Sequence, residues 1–389
     1  MPDYLWVLAL LLIGGLWYLN RRQVHLLGKN KRQEFTKDYF KGLNYLLNEQ
    51  TDKAIEVFMR MLEVEKETIE IHMALGSLFR RSGEVERSIR IHQNLVVRPG
   101  MSDEQREKAQ LELVRDYLRA GLLDRAETLL KDLIENDTFT AVALKYLADV
   151  YQQEREWARA IEILEKLEQV SGQSQQDTVA QYYCELAEQE RRKNNVVEAV
   201  QKLHKALKSD KNCARASLML GDLEIGRGNY GTAITHLKQV EKQKPEFLGE
   251  IIAPLRTAYT ALGKSEEMLN YLQGILPLQN SAQIILTIAE LLRNKSGDVV
   301  ALNFVNEQLM KQPSITGLHW LIRVNLENRE GPSKENLLML RQLTNKIIEE
   351  KPQYQCNRCG FSVRSIYWQC PGCKNWNSLS PIHQLSVAE

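Results

Sequence analysis

Four of the six cysteines stand in two matched pairs near the carboxyl end. The first reads Cys356-Asn-Arg-Cys359, ten residues follow at 360–369, and the second reads Cys370-Pro-Gly-Cys373. A C-x-x-C loop presents two sulfurs from one tight turn. Two such loops offer four thiolates to one tetrahedral ion with bonds of about 2.3 Å. Gly360, Pro371 and Gly372 supply the turn chemistry that lets backbone N–H groups face the sulfurs. One tetrathiolate-bound metal ion is therefore expected on Cys356, Cys359, Cys370 and Cys373, and this donor set accepts either iron or zinc. A redox or disulfide pair would account for one of the loops and leave the other unexplained. So short a module cannot fold on core burial alone, and the metal must supply much of its folding free energy. Tyr354, Phe361, Tyr367, Trp368 and Trp376 crowd the same segment. Some of these rings are expected around the metal loops and others against the last helices of the preceding region.

The rest of the chain holds no Walker A loop, no H-E-x-x-H and no G-x-S-x-G elbow. Gly226, Gly228 and Gly231 do spell G-x-G-x-x-G, but no strand precedes them, so a turn between two helices is expected there. His72, His92, His204 and His236 are scattered through helical sequence, where a core or surface role is expected. Cys184 and Cys213 read as buried small apolar side chains. A formal net charge of +1 argues against a nucleic-acid footprint. The protein is expected to be no enzyme.

The elements that must carry the metal loops are repeated helix pairs. In residues 220–245, Gly221, Ala233, Leu237 and Pro245 sit at the offsets of a tetratricopeptide repeat, where a small residue lets two helices cross closely and proline ends the second. Gly42, Tyr45, Ala54 and Phe58, then Gly76, Phe79, Ser88 and His92, repeat the pattern with a period of 34 residues. Ala126, Ala160, Ala199 and Ala301 occupy the small position of the second helix, with Ser88 and Met268 as looser versions. The pattern weakens beyond Tyr259, and residues 317–352 need an insertion around Glu330, Gly331 and Pro332. The expected fold class is all-α: a superhelical solenoid of eight or nine such repeats over 35–352, followed by a small metal-knuckle domain over 353–389.

Residues 4–19 carry no charge and would span about 24 Å as a helix, slightly short of a ~30 Å hydrocarbon core. Asp3 before the stretch and WYLNRR after it do not fit a cleaved signal peptide, so residues 1–20 are expected to be an uncleaved transmembrane anchor. Arg21, Arg22, Lys29, Lys31 and Arg32 fill the juxtamembrane segment 21–34 and place the soluble part in the cytoplasm. That location agrees with metal-spaced cysteines and makes the sequons at Asn136 and Asn294 chance matches.

Function in such a solenoid comes from the concave surface. Arg80, Lys108, Arg115, Lys145, Arg191 and Arg215 are expected to line it among Glu70, Asp149, Glu188 and Asp222, with Arg80, Arg115 and Lys145 as the candidate partner-binding groove.

The combination of an anchor, helical repeats and the pattern Tyr354, Cys356, Cys359, Gly360, Phe361, Tyr367, Trp368, Cys370, Pro371, Cys373, Trp376 resembles the lipopolysaccharide assembly protein B family of Gram-negative bacteria. The likeness covers the whole length, including the Arg21-Arg22 pair and residues 83–95. It implies a rubredoxin-type module, usually described with iron, on the same four cysteines. It also implies an inner-membrane adaptor; a third reading, a nucleic-acid-binding zinc ribbon, is disfavoured by the near-neutral charge and the expected anchor. Its implied partners are the membrane AAA+ protease FtsH, the lipid A deacetylase LpxC and other lipopolysaccharide assembly proteins. Lys374 stands where the first knuckle has Gly360, a departure from the rubredoxin pattern that bears on the rival reading, a redox carrier using a rubredoxin-type iron site.

Overall fold

A computed structural model describes residues 40–382, apart from 43, 46–47, 49, 65–68, 136–138, 280 and 328–332. The expected anchor at 1–20, the basic segment 21–34 and the expected insertion at 330–332 lie outside the described residues. Among the described residues no helix is long and apolar enough to cross a membrane.

The chain divides into two compact units, Met1–Gly172 and Gln173–Glu389. In the first, α1 (Thr51–Val64) is followed by α2 (Ile69–Arg81), α3 (Val85–Val96), α4 (Asp103–Ala120), α5 (Leu123–Glu135), α6 (Thr140–Glu154) and α7 (Trp157–Ser171). The second unit begins with α8 (Gln176–Arg192), α9 (Val196–Ser209), α10 (Ala214–Gly226) and α11 (Tyr230–Gln243), then a single 3-10 turn at Pro245–Phe247. It continues through α12 (Leu248–Ala261), α13 (Ser265–Ile275), α14 (Ala282–Ser296), α15 (Asp298–Lys311), α16 (Ile315–Glu327) and α17 (Ser333–Glu350). Three short strands close it: β1 (Tyr354–Cys356), β2 (Ser362–Val363) and β3 (Leu379–Pro381).

The repeat offsets become close helix crossings. A Cβ at Gly42 or Gly221 would lie 2.7 or 2.5 Å from the side chain sixteen residues on, Phe58 or Leu237, and one at Gly76 would overlap the ring of His92. Opposite, Ala54, Ser88, Ala126, Ala160, Ala199, Ala233, Met268 and Ala301 are each 1% exposed or less. Large side chains fill what the small ones leave. Leu130, Leu203, Leu237 and Leu272 are fully buried, and each such leucine stabilises by about 1.5–3 kcal/mol.

The turns inside the pairs share one device. At Gly83, Gly121, Arg155, Asn194, Gly228 and Gly263 the backbone turns left-handed. The next N–H then returns to a carbonyl five residues back, as in Glu84 to Phe79 and Asn229 to Glu224, which ends the first helix and aims the second antiparallel. Gly228 belongs to the G-x-G-x-x-G run, which spans the turn from the end of α10 to the start of α11, a turn between two helices as expected.

Ion pairs follow the same period. Arg256 reaches Glu290 at 3.2 Å, as does Arg323, and Arg293 reaches Glu327 at 2.6 Å. These partners lie 33 or 34 residues apart and tie equivalent first helices together.

Candidate metal centre

The metal knuckles hang from the three-stranded antiparallel sheet, ordered β2-β1-β3. β1 runs into Cys356 and pairs with Leu379 of β3, so the first ligand is held at the end of a hydrogen-bonded ladder. In the first loop the Gly360 N–H donates to the Cys356 carbonyl at 2.9 Å, and in the second the Lys374 N–H donates to the Cys370 carbonyl at the same distance. Both closing residues take positive φ, 74° for Gly360 and 59° for Lys374. The two loops are thus the same turn built twice, and Lys374 adopts a conformation that suits glycine. Lys374→Gly is accordingly expected to stabilise the module by up to about 1 kcal/mol, the left-handed cost less the entropy that glycine adds to the unfolded chain. Denaturant-induced metal release checks it, and a loss of metal would show that the lysine side chain itself matters.

All four predicted ligands converge. Their sulfurs lie within 4.8 Å of one another, Cys356 to Cys373 at 3.6 Å and Cys359 to Cys370 at 3.7 Å. A tetrahedron with ~2.3 Å metal–sulfur bonds has edges of about 3.8 Å, so the thiols already hold the spacing such an ion needs. The Ser378 hydroxyl, with the backbone N–H groups of Cys359 and Arg358, brings the Cys356 thiol down to about 6. The side chain and N–H of Asn375 lower Cys373. Cys359 goes the other way. The Phe361 N–H favours its thiolate, yet partial desolvation beside the other loop and the three neighbouring thiols push the exposed group up to about 12. Four thiolates this close repel one another, and a cation among them fits. Iron or zinc bound here would supply four bonds joining the two loops, with the chain's own N–H groups and Ser378 orienting the sulfurs.

The module's aromatic residues determine where it sits. Trp368 packs against Phe247 with ring centroids 5.3 Å apart and planes tilted by 33°. Trp376 meets Tyr182 edge-on at 5.8 Å, and the Arg215 guanidinium lies 5.9 Å from its ring. Tyr354 donates its hydroxyl to Glu250, and burial together with that carboxylate raises its pKa. Docking against the last helices was expected. Instead the module seats on α8, α10 and α12, because the chain leaving α17 returns to Glu250, 104 residues before Tyr354. Among the rings, Phe361 and Tyr367 stay exposed.

The groove cations have mixed fates. Arg80 donates to Glu112 at 2.5 Å and Asp116 at 2.7 Å, and Asp116, fully buried, also accepts from Ser88 at 2.6 Å and His92 at 2.5 Å. Arg115 pairs with Glu112 and donates to Tyr146 at 2.9 Å. Burial raises the Glu112 carboxyl, but the Arg80 hydrogen bond and the charges of Arg80 and Arg115 win, and it is lowered. Arg80 and Arg115 share with Arg81, Leu118, Arg119 and Tyr146 an open groove of about 570 Å³. Lys145 is exposed and is not among those lining residues. Lys108 pairs with Glu104, and Arg191 with Glu188. Arg215, largely buried, pairs with Glu185 at 2.7 Å and carries Trp376. Cys184 and Cys213 are both buried as expected, with sulfurs 3.9 Å apart.

Comparison with known proteins agrees with this architecture. Residues 354–381 match the rubredoxin metal binding domain, and residues 71–107, 111–175 and 184–246 match tetratricopeptide repeat models. The chain is 36% identical to lipopolysaccharide assembly protein B of Escherichia coli strain K12 over 370 residues, 95% of each chain. It is 34% identical to the Haemophilus influenzae protein of that name over 375 residues, 94% of each. Among solved structures it is similar to pilF of Pseudomonas aeruginosa at 19% identity, covering 54% of this chain and 92% of that one with a TM-score of 0.33, too low a likeness to argue from.

Proposed function

The chain belongs to the lipopolysaccharide assembly protein B family, and from that membership we propose that it is a non-enzymatic adaptor in lipopolysaccharide synthesis. It is held in the inner membrane by residues 4–19 with its helix pairs in the cytoplasm, the side that the basic cluster 21–32 selects. Its partners are the protease FtsH and the lipid A deacetylase LpxC, which it brings together so that the deacetylase is degraded. Other lipopolysaccharide assembly proteins meet the same helix surfaces. Anchoring adaptor and protease in one bilayer raises their effective concentration, so modest contacts suffice.

The observation that carries this reading over a redox carrier is the seat of the metal module. Trp368, Trp376 and Tyr354 are spent on wedging the module into the helix pairs, which suits an ion that holds shape. A one-electron carrier on the same cysteines would require iron, and LpxC turnover would then follow its oxidation state.

Depleting the protein is expected to lengthen the LpxC half-life several-fold in a chase after synthesis is stopped, with the specific activity of the deacetylase unchanged. Lys145→Glu, exposed and clear of the buried ion pairs, should act in the same direction if the groove face holds a partner. An LpxC half-life that ignores both depletion and the variant overturns the adaptor reading.

A further inference from the structure

Exposed lysines along the helix pairs commonly answer a carboxylate one turn away, as Lys108 does Glu104, Lys131 does Glu127 and Lys311 does Glu307. The second helices α9 and α11 depart from that habit. Between residues 196 and 212 four lysines stand against two carboxylates, and between 230 and 244 three stand against one, a surplus of four on a chain whose net charge is +1. Those carboxylates are already engaged: Glu198 with Lys202 at 2.9 Å, Asp210 with the Asn212 N–H at 2.8 Å and Glu241 with the Tyr271 hydroxyl at 3.2 Å. Lys238 lies 4.2 Å from the Tyr271 ring centroid and Lys244 5.8 Å from that of Phe247. Lys205, Lys208, Lys211 and Lys242 are left over, exposed and with no ion pair among the described residues.

These four make one patch. Lys208 and Lys242 are 34 residues apart, one repeat period, so they hold the same position on consecutive second helices. At ~100° per residue each points directly away from the buried row of its helix, Ala199, Leu203 and Ala206 on α9 or Ala233, Leu237 and Val240 on α11. Lys205 lies beside Lys208 one turn earlier. The Gln243 side chain donates to the Lys211 carbonyl at 2.8 Å and the rings of His204 and His236 are 6.0 Å apart, so the two helices run side by side.

The kind of cation says what the patch fits. Lysine carries a compact, hydrated charge on a flexible stem, whereas the arginines of this stretch, whose planar forks suit one fixed anion, are spent on Glu185 and Glu224. No phenylalanine or tryptophan occurs between 196 and 244 and Tyr230 is only partly exposed, so a nucleic acid finds little to stack on. A loose array of mobile positive charges matches a fluid sheet of phosphates, and the anchor expected at residues 4–19 keeps the chain beside one.

We propose that the outer face of α9 and α11 lies on the anionic lipid head groups of the membrane that holds the anchor, with Lys205, Lys208, Lys211 and Lys242 as its phosphate contacts. The proposal rests on the anchored reading above. Near such a surface each lysine favours the docked state roughly fivefold, so four together hold the second unit against the bilayer.

The test uses the full chain with its metal in lipid discs of phosphatidylcholine, alone or with about a third phosphatidylglycerol, and follows by peptide mass spectrometry how fast an uncharged acylating reagent modifies each lysine. In the anionic discs Lys205, Lys208, Lys211 and Lys242 are expected to react roughly fivefold more slowly than in the neutral discs and to recover at about 0.5 M salt, while Lys131 and Lys311 react alike in both discs. In K208E/K242E, Lys205 and Lys211 should react in the anionic discs as they do in the neutral ones, with metal content and helical signal retained. A chain that enters neither disc defeats the anchor and this proposal with it, whereas insertion with lysine rates that ignore phosphatidylglycerol defeats this proposal alone. Protection that survives K208E/K242E, or that an acidic peptide or an oligonucleotide gives equally in detergent, also overturns it.

Discussion

Serine at Cys356 and Cys359 is expected to empty the metal site and free the segment after Pro352, while the helix pairs stay folded. The thiols are placed for a tetrahedral ion, and a structural ion of this kind contributes about 10–16 kcal/mol, more than so small a sheet can supply by burial. With two ligands gone, β1 loses its tether at Cys356 and the module cannot keep Trp368 on Phe247 or Trp376 on Tyr182. Each lost aromatic contact costs about 0.5–1.5 kcal/mol beyond area, so the second unit weakens without unfolding. Three measurements report this: metal content near zero, tryptophan emission shifted to the red, and new proteolytic cleavage after Pro352. Helical circular dichroism should fall little. Full metal occupancy in the double variant would refute the ligand assignment.

Asp116→Ala is expected to destabilise the first unit by about 3–5 kcal/mol, the loss that follows when one member of a buried charge network is removed. Asp116 is wholly buried and accepts from Arg80, Ser88 and His92 together. Without it the Arg80 guanidinium keeps Glu112 and a longer bond to the Ser77 hydroxyl, and the His92 ring, pressed against Gly76, has no partner for Nδ1. A fall in urea midpoint for the first unit, with the metal module untouched, is the result to look for. A change below about 1 kcal/mol would mean that the network is energetically slack. Charge reversal at Arg80 should resemble Asp116→Ala, so a binding defect in that variant would report folding rather than recognition.

The repeat period was plain in the sequence because steric demand writes it: Gly76 and Gly221 must be small where a helix crosses, and the fully buried Ser88 and Ala233 opposite answer them. The ligand set was equally plain, since two C-x-x-C loops have few other uses. What the sequence concealed is which cations were already satisfied. Arg80 reads as a groove residue until Glu112 and Asp116, 32 and 36 residues later, are recognised as near-equivalent positions on the next first helix. The signal existed in the period, for Arg256–Glu290 and Arg293–Glu327 keep it too. Nothing in the spacing marked Arg215 as the seat of Trp376. That contact joins residues far apart in the chain and depends on the path taken after α17.

The bond from Tyr354 back to Glu250 changes how the end of the chain comes apart. A row of repeats held only by nearest neighbours frays from its tip, one pair at a time. Here the segment between Glu250 and Tyr354 is a closed circuit, clasped by the ring contacts of Trp368 and Trp376. While the clasp is shut the terminal pairs open only as a tethered loop, which lowers the entropy they gain on opening. Their opening is therefore rarer until the ion is released or the module lifts, and a protease acting on α13 to α17 meets fewer open states until then.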